Sequence, residues 1–332
     1  MKKIVTINIL LVFLVSGSCF QKTDNKKLQQ GKDIKLESGD DLATQWIAKQ
    51  KANLDMATFE LYPQPSRGEG KQGSFLLYLP KDYKTGNKRY PVLYTLHGGN
   101  GNQSDGEWLI KIIDSAINSG NLEPIIVVSV QALPIGWYCN ANIGAKGVVS
   151  GSVEDVIIKD LIPYIDKNFR TISSGNGRGI EGWSMGGFGA LRLAYKFPGM
   201  FNYVSSLAGA LIDFEDEPNP QYLENTFGPT TGVEKNQSKA YFDAVHPKRY
   251  AKENAKSIIT NHIKTRIIVG DGDWLYNKNG KNITKNFSEY LSNLGIENKY
   301  SVIRGVGHML PDAYGSGQIK YPIDFWRDAF KK

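Results

Sequence analysis

Cysteine and histidine are scarce in this chain. Cys19 and Cys139 are its two cysteines, and its four histidines, His97, His246, His262 and His308, stand far apart. So few cysteines exclude a disulfide framework, so stability must come from a packed core, which 332 residues can build. The histidines show neither H-x-x-H nor H-E-x-x-H spacing, so no metal site and no cofactor are expected. Long apolar runs are missing too: no stretch reaches the roughly 18 residues needed to cross a bilayer. Blocks of like charge are absent. The net charge is +7, but Lys and Arg are scattered, with only short pairs such as Lys26-Lys27 and Lys331-Lys332. That distribution reads as a solvated surface and not as a nucleic-acid footprint. No low-complexity tract and no fixed-period repeat occurs.

What is present begins at the N-terminus. Met1-Lys2-Lys3 is a short basic region, residues 4–15 are apolar apart from Thr6 and Asn8, and Ser16-Gly17-Ser18 precede Cys19. This is the layout of a secretory signal peptide over residues 1–18. A cysteine directly after small residues also resembles a bacterial lipobox, which makes Cys19 the candidate lipidated residue and the chain an exported lipoprotein of the periplasm or cell surface. Ser16 stands where a lipobox usually has Leu, and Ser16-x-Ser18 would also suit ordinary cleavage. Residues 20–40 are polar and read as a tether. A helix is expected over residues 42–54, where Leu42, Trp46, Ile47 and Leu54 share a face. Residues 19–58 are thus read as anchor, tether and helix, and residues 59–332 as one folded domain.

Within that domain, apolar strand patterns at residues 75–79, 91–96, 125–130, 203–207, 266–269 and 300–303 alternate with helical ones at 153–164, 188–195 and 287–294. Continuous β-branched runs fit strands buried on both faces, so an α/β fold with a mainly parallel sheet flanked by helices is expected. Ser152 is placed to cap the helix that starts at Val153. Residues 213–262 carry Pro218, Pro220, Pro229 and Pro247 and little strand character. They read as a partly helical insertion lying over the sheet edge.

Residues 182–186 read Gly182-Trp183-Ser184-Met185-Gly186. With 35 glycines in the chain, G-x-S-x-G alone is weak. Its context is stronger: a short strand pattern precedes Ser184, and a glycine-rich helix start follows. A nucleophile elbow needs that order, with small neighbours where strand and helix pass closely. The helix N-terminus would offer N–H groups to a developing oxyanion. A serine nucleophile needs a base and an acid further along. His308 follows the last strand through Gly305-Val306-Gly307 and is the candidate base. His97 belongs to a His-Gly-Gly loop, while His246 and His262 read as packing or surface residues. Asp271 and Asp273 both follow the preceding strand, and position alone does not choose between them. Met185, Gly98 and Gly99 are the candidate oxyanion donors through their backbone N–H groups.

Five stretches, "YPVLYTLHGGNGNQSDGEW", "LIPYIDKNFRT", "GRGIEGWSMGGFGALRLAYKFPGMF", "IIVGDGDW" and "VIRGVGHM", together resemble the putative-esterase (esterase D-like) branch of the α/β-hydrolases. The resemblance spans residues 70 to 330. That branch includes feruloyl and acetylxylan esterases of carbohydrate esterase family 1, S-formylglutathione hydrolases, siderophore esterases and mycolyltransferases. The resemblance implies Ser184 as nucleophile, Asp273 as acid and His308 as base. It places Glu154 in a structural role before the "LIPYID" helix. Trp183 departs from the pattern, which often has a smaller apolar residue before the serine, and Asp271 adds a second carboxylate beside the acid.

The loops expected around the serine carry Trp108, Trp137, Tyr138, Trp183, Trp274 and Tyr276, aromatic faces suited to a sugar ring or phenolic acyl group. The implied function is hydrolysis of acyl esters, with feruloyl or acetyl esters on polysaccharide as the expected substrate. Other esters, acyl transfer, or a non-catalytic carbohydrate-binding surface protein remain as alternatives.

Overall fold

The computed structural model describes residues 46–48, 53–140, 152–217, 227, 235–278 and 280–331. The leader, Cys19 and the tether fall outside them. Of the helix expected over residues 42–54, only 46–48 and 53–54 are described, and these form bends and irregular backbone instead. Trp46 packs into the core, and its carbonyl accepts a hydrogen bond from the Ser74 N–H.

Eight strands form one sheet: β1 (Ala57–Pro63), β2 (Gln72–Tyr78), β3 (Val92–Leu96), β4 (Ile126–Val130), β5 (Arg178–Trp183), β6 (Tyr203–Leu207), β7 (Lys264–Gly270) and β8 (Asn298–Ile303). Their order is β1-β2-β4-β3-β5-β6-β7-β8. From β4 to β8 all neighbours are parallel, and β1 and β2 add an antiparallel flank. Every residue of β3 and β4 is buried, because helices cover both faces.

The helices are α1 (Glu107–Asn118), α2 (Ile162–Asn168), α3 (Met185–Lys196), α4 (Lys235–Val245), α5 (Pro247–Glu253), α6 (Ala255–Thr260), α7 (Ile283–Asn293), α8 (Leu310–Gly315) and α9 (Asp324–Phe330). Leu109, Ile110 and Ile113 of α1 share one apolar layer with Leu310 of α8 and Trp326 and Phe330 of α9. The other layer collects Phe188 of α3, Phe242 of α4, Tyr250 of α5 and Phe287 of α7. The region between β6 and β7 is partly helical, as its sequence reads. Among its described residues, α5 packs on α3.

A second correction concerns the run before α2. Helical structure starts at Val153, but the Ser152 side chain makes no cap; the Asn140 side-chain Oδ1 accepts from the Asp155 N–H in its place. Val153–Asp155 is followed by a π-helical stretch, Val156–Leu161, which runs into α2. Pro163 lacks an N–H and forces the ladder to readjust there. Glu154, buried at the start of this run, pairs with Arg192 at 2.5 Å and Lys196 at 2.7 Å, which ties it to α3. Arg192 also donates to the Tyr138 carbonyl at 2.8 Å. On the opposite face Glu181 of β5 pairs with Arg266 of β7 at 2.8 Å and accepts from the Tyr321 hydroxyl at 2.9 Å. Both charges are satisfied where an unpaired one would cost several kcal/mol.

Candidate active site

The parallel strands end at a common edge, and the candidate residues gather there. β5 stops at Trp183, and Ser184 turns the chain into α3 with φ 57° and ψ −118°. Such a conformation costs on the order of 1–3 kcal/mol for a non-glycine residue and persists only when its surroundings enforce it. Here the Ser184 N–H donates to the Leu207 carbonyl at 2.9 Å, and the Ser184 carbonyl accepts from Ala210 at 3.0 Å. The two flanking glycines are required by space. A Cβ on Gly182 would lie 2.1 Å from the Gly186 carbonyl oxygen, and one on Gly186 would lie 2.3 Å from that of Leu96.

His308 approaches from the loop after β8. Its Nε2 lies 2.9 Å from Ser184 Oγ, and its Nδ1 lies 2.8 Å from Asp273 Oδ2. The Asp273 side chain is fully buried, while the imidazole is 24% exposed. Asp273 Oδ1 accepts from the Leu275 N–H at 2.9 Å. A carboxylate only accepts, so Nδ1 carries the proton and Nε2 is free to accept from the serine hydroxyl. The two aspartates differ in their contacts: Asp273 meets the imidazole, whereas Asp271 accepts from the Gly305 N–H at 2.8 Å and braces the turn after β8.

Met185 opens α3, so its N–H has no acceptor inside the helix. Facing it from the end of β3 is the loop with Gly98 and Gly99, held by a buried histidine. His97 donates from Nδ1 to the Gly98 carbonyl at 2.8 Å, and the Ala132 N–H reaches its Nε2 at 3.3 Å. Burial pushes the His97 pKa down and keeps the ring neutral. The Tyr138 hydroxyl donates to the His97 carbonyl at 2.8 Å. A Cβ on Gly98 would strike the Trp183 ring at 2.5 Å, whereas Gly99 has open space beside it.

The expected aromatic lining divides into two groups. Trp108 and Trp183 border a cavity of about 200 Å³ that also meets Asp105, Met309 and Asp312. Trp274 is 41% exposed, and its ring centre lies 6.0 Å from that of His308. Trp137 and Tyr138 do not line the site. Both are buried: Trp137 packs edge-on against Phe188 at 5.1 Å, and Tyr138 lies beneath Gly189. Their φ angles of 47° and 54° turn this loop inward. Tyr276 packs against the core rather than standing free. Sequence reasoning did not single out Asp105, Met309 or Asp312. Asp105 gives itself away only as the fourth residue of an Asn102-to-Asp105 capping box, and Met309 only as the neighbour of His308.

A mostly parallel sheet covered on both faces, with a serine on a strained strand-to-helix turn, defines an α/β-hydrolase. The chain belongs to the putative esterase family, which it matches over residues 70–263; the match includes Ser184 and ends before Asp273 and His308. Among its relatives, Esterase Rv1288 of Mycobacterium tuberculosis is 32% identical over 256 residues, 71% of this chain and 52% of that protein. The endo-1,4-beta-xylanase/feruloyl esterase of Xylanibacter ruminicola is 33% identical over 185 residues, 53% of this chain and 24% of that protein. The chain therefore spans about half or less of these two relatives. A solved ferulic acid esterase shares the fold with a TM-score of 0.62 at 21% identity, over 83% of this chain and 100% of that one. An S-formylglutathione hydrolase from Agrobacterium tumefaciens has a TM-score of 0.60 at 16% identity, over 85% and 99%.

Proposed function

We propose that the chain is a serine esterase that hydrolyses carboxylic esters through an acyl-serine intermediate. The observation that carries this reading is the continuous relay from Asp273 through His308 to Ser184 Oγ, at 2.8 and 2.9 Å. In the first half-reaction Ser184 Oγ attacks the ester carbonyl and His308 Nε2 takes its proton. The tetrahedral oxyanion is stabilised by the Met185 N–H and by an N–H of the Gly98-Gly99 loop. Collapse breaks the ester C–O bond, and His308 returns the proton to the leaving alcohol. Water, deprotonated by His308, then attacks the acyl-serine, and the same sequence frees the acid and restores Ser184. Asp273 keeps the imidazole in the required tautomer throughout.

For substrate, we infer a feruloyl or acetyl ester on a polysaccharide. Trp274, 41% exposed with its ring centre 6.0 Å from that of His308, supports it, as an aromatic face suits sugar and phenolic rings. The relationship to a xylanase/feruloyl esterase supports it as well. The layout of residues 1–19 supports export with a lipid on Cys19.

Ser184→Ala is expected to abolish turnover of p-nitrophenyl acetate and methyl ferulate while leaving the unfolding transition unchanged. Full turnover by this variant would remove the assignment. Labelling of the native chain by a fluorophosphonate, lost in Ser184→Ala, separates an esterase from a silent carbohydrate-binding protein.

A further inference from the structure

Trp183 has two polar and steric engagements that a merely packed indole would not need. Its Nε1 donates to the His308 main-chain carbonyl at 2.7 Å, across 125 residues of sequence, and its ring centre lies 5.3 Å from the imidazole. The same ring presses on Gly98, where a Cβ would come within 2.5 Å of it. Trp183 is also the last residue of β5, bonded directly to Ser184. One indole thus touches the base loop and the candidate oxyanion loop from the strand that carries the nucleophile.

The rest of the base loop is braced from elsewhere. Asp271 accepts from the Gly305 N–H, the Asp271 N–H donates to the Ile303 carbonyl, and the Gly272 N–H donates to the Val306 carbonyl. These bonds fix the loop to the acid-bearing turn. The His308 carbonyl itself receives Trp183 Nε1 and the Leu310 N–H at 2.9 Å, the latter from within its own segment. Gly305, with φ 72°, and Gly307 leave the backbone before His308 intrinsically free.

We propose that Trp183 is a positioning residue: its indole N–H sets the His308 main chain at the distance from β5 at which Nε2 meets Ser184 Oγ. The inference rests on the esterase reading. Misplacing a catalytic group by about 1 Å can cost on the order of 10²-fold in rate. The donor therefore acts on kcat and leaves ground-state binding alone.

The test replaces Trp183 by 3-benzothienyl-alanine, which keeps the bicyclic shape and substitutes sulfur for the N–H. With p-nitrophenyl acetate, kcat is expected to fall about tenfold or more with KM within twofold, and fluorophosphonate labelling of Ser184 to slow by the same factor. A fluorotryptophan at 183, which retains the N–H, is expected to stay within twofold of the native rate. Trp183→Phe, which also loses ring area, is expected to fall at least as far. Unchanged kcat and labelling in the benzothienyl variant would overturn the inference, as would a rise in KM alone, which would make the indole a substrate contact. Ser184→Ala measured beside it distinguishes the failures: if that variant turns over normally, the esterase reading fails first.

Discussion

Ser184 and its neighbours carry most of the chemistry argued above, and at this scale the two aspartates are the sharpest contrast. Asp273 is buried against His308, and Asp271, two residues earlier, faces a backbone N–H in an exposed turn. Asp273→Asn can present its N–H to Nδ1 and trap the wrong tautomer, so kcat for p-nitrophenyl acetate is expected to drop on the order of 10³–10⁴-fold. Asp271→Asn retains a side-chain acceptor and is expected to keep kcat within about twofold, losing at most ~1 kcal/mol of stability in urea unfolding. Equal losses in both variants would contradict the division of roles. Position left these two open because a turn-forming aspartate and a buried one are written with the same letter. What separates them is the tight turn in which the Asp273 N–H donates to the Gly270 carbonyl. Trp137 and Tyr138 were misread for a related reason: consecutive non-glycine residues at positive φ leave no mark in a sequence, yet they decide which way a side chain faces.

At the scale of elements, the strands of the parallel sheet and the elbow were legible because buried β-branched runs and a glycine-flanked serine have few other readings. β1 was not, since ATFELYP mixes exposed and buried positions without clean alternation. The Ser152 cap failed because Asn140, distant in sequence, takes the bond. His246 shows how an ordinary packing residue can matter to an element. It caps α5, accepting at Nδ1 from the Lys248 N–H at 3.1 Å and donating from Nε2 to the Ile212 carbonyl at 3.0 Å. Burial, with the Lys248 ammonium nearby, holds its pKa down to about 4. The folded value lies below the unfolded one of about 6.5, so between these pH values the unfolded chain binds more protons. The stabilisation is complete above pH 6.5 and is lost as pH falls toward 4, amounting to about 2 kcal/mol of loss by pH 5. Urea titrations at pH 7.5 and 5 are expected to record this difference, and His246→Asn to diminish it. An undiminished acid loss in that variant would locate the effect elsewhere.

At the scale of the whole molecule, the family was legible because five motifs recur in order, and the α/β architecture because strand and helix patterns alternate. Substrate was not: the cavity beside Trp183 is lined in part by Asp105, Met309 and Asp312, residues that carry no signature of their own. Among the described residues no helix is long and apolar enough to cross a membrane. On the proposed reading, attachment rests on residues 16–19. The native chain is expected to sediment with membranes and Cys19→Ala to appear in the soluble fraction, with esterase activity unchanged in both. Equal partitioning would exclude the lipid anchor.

The strand order has one more consequence, which concerns time. β5, with the nucleophile, lies near the middle of the sheet, whereas β8, which delivers the base, is its outermost parallel strand and follows every other in the chain. A ribosome that has translated the chain as far as Asp273, just past β7, has made the proposed serine and acid but not the histidine that would arm them. On the proposed mechanism, competence therefore waits for β8 and the loop that carries His308 to join the edge of the sheet.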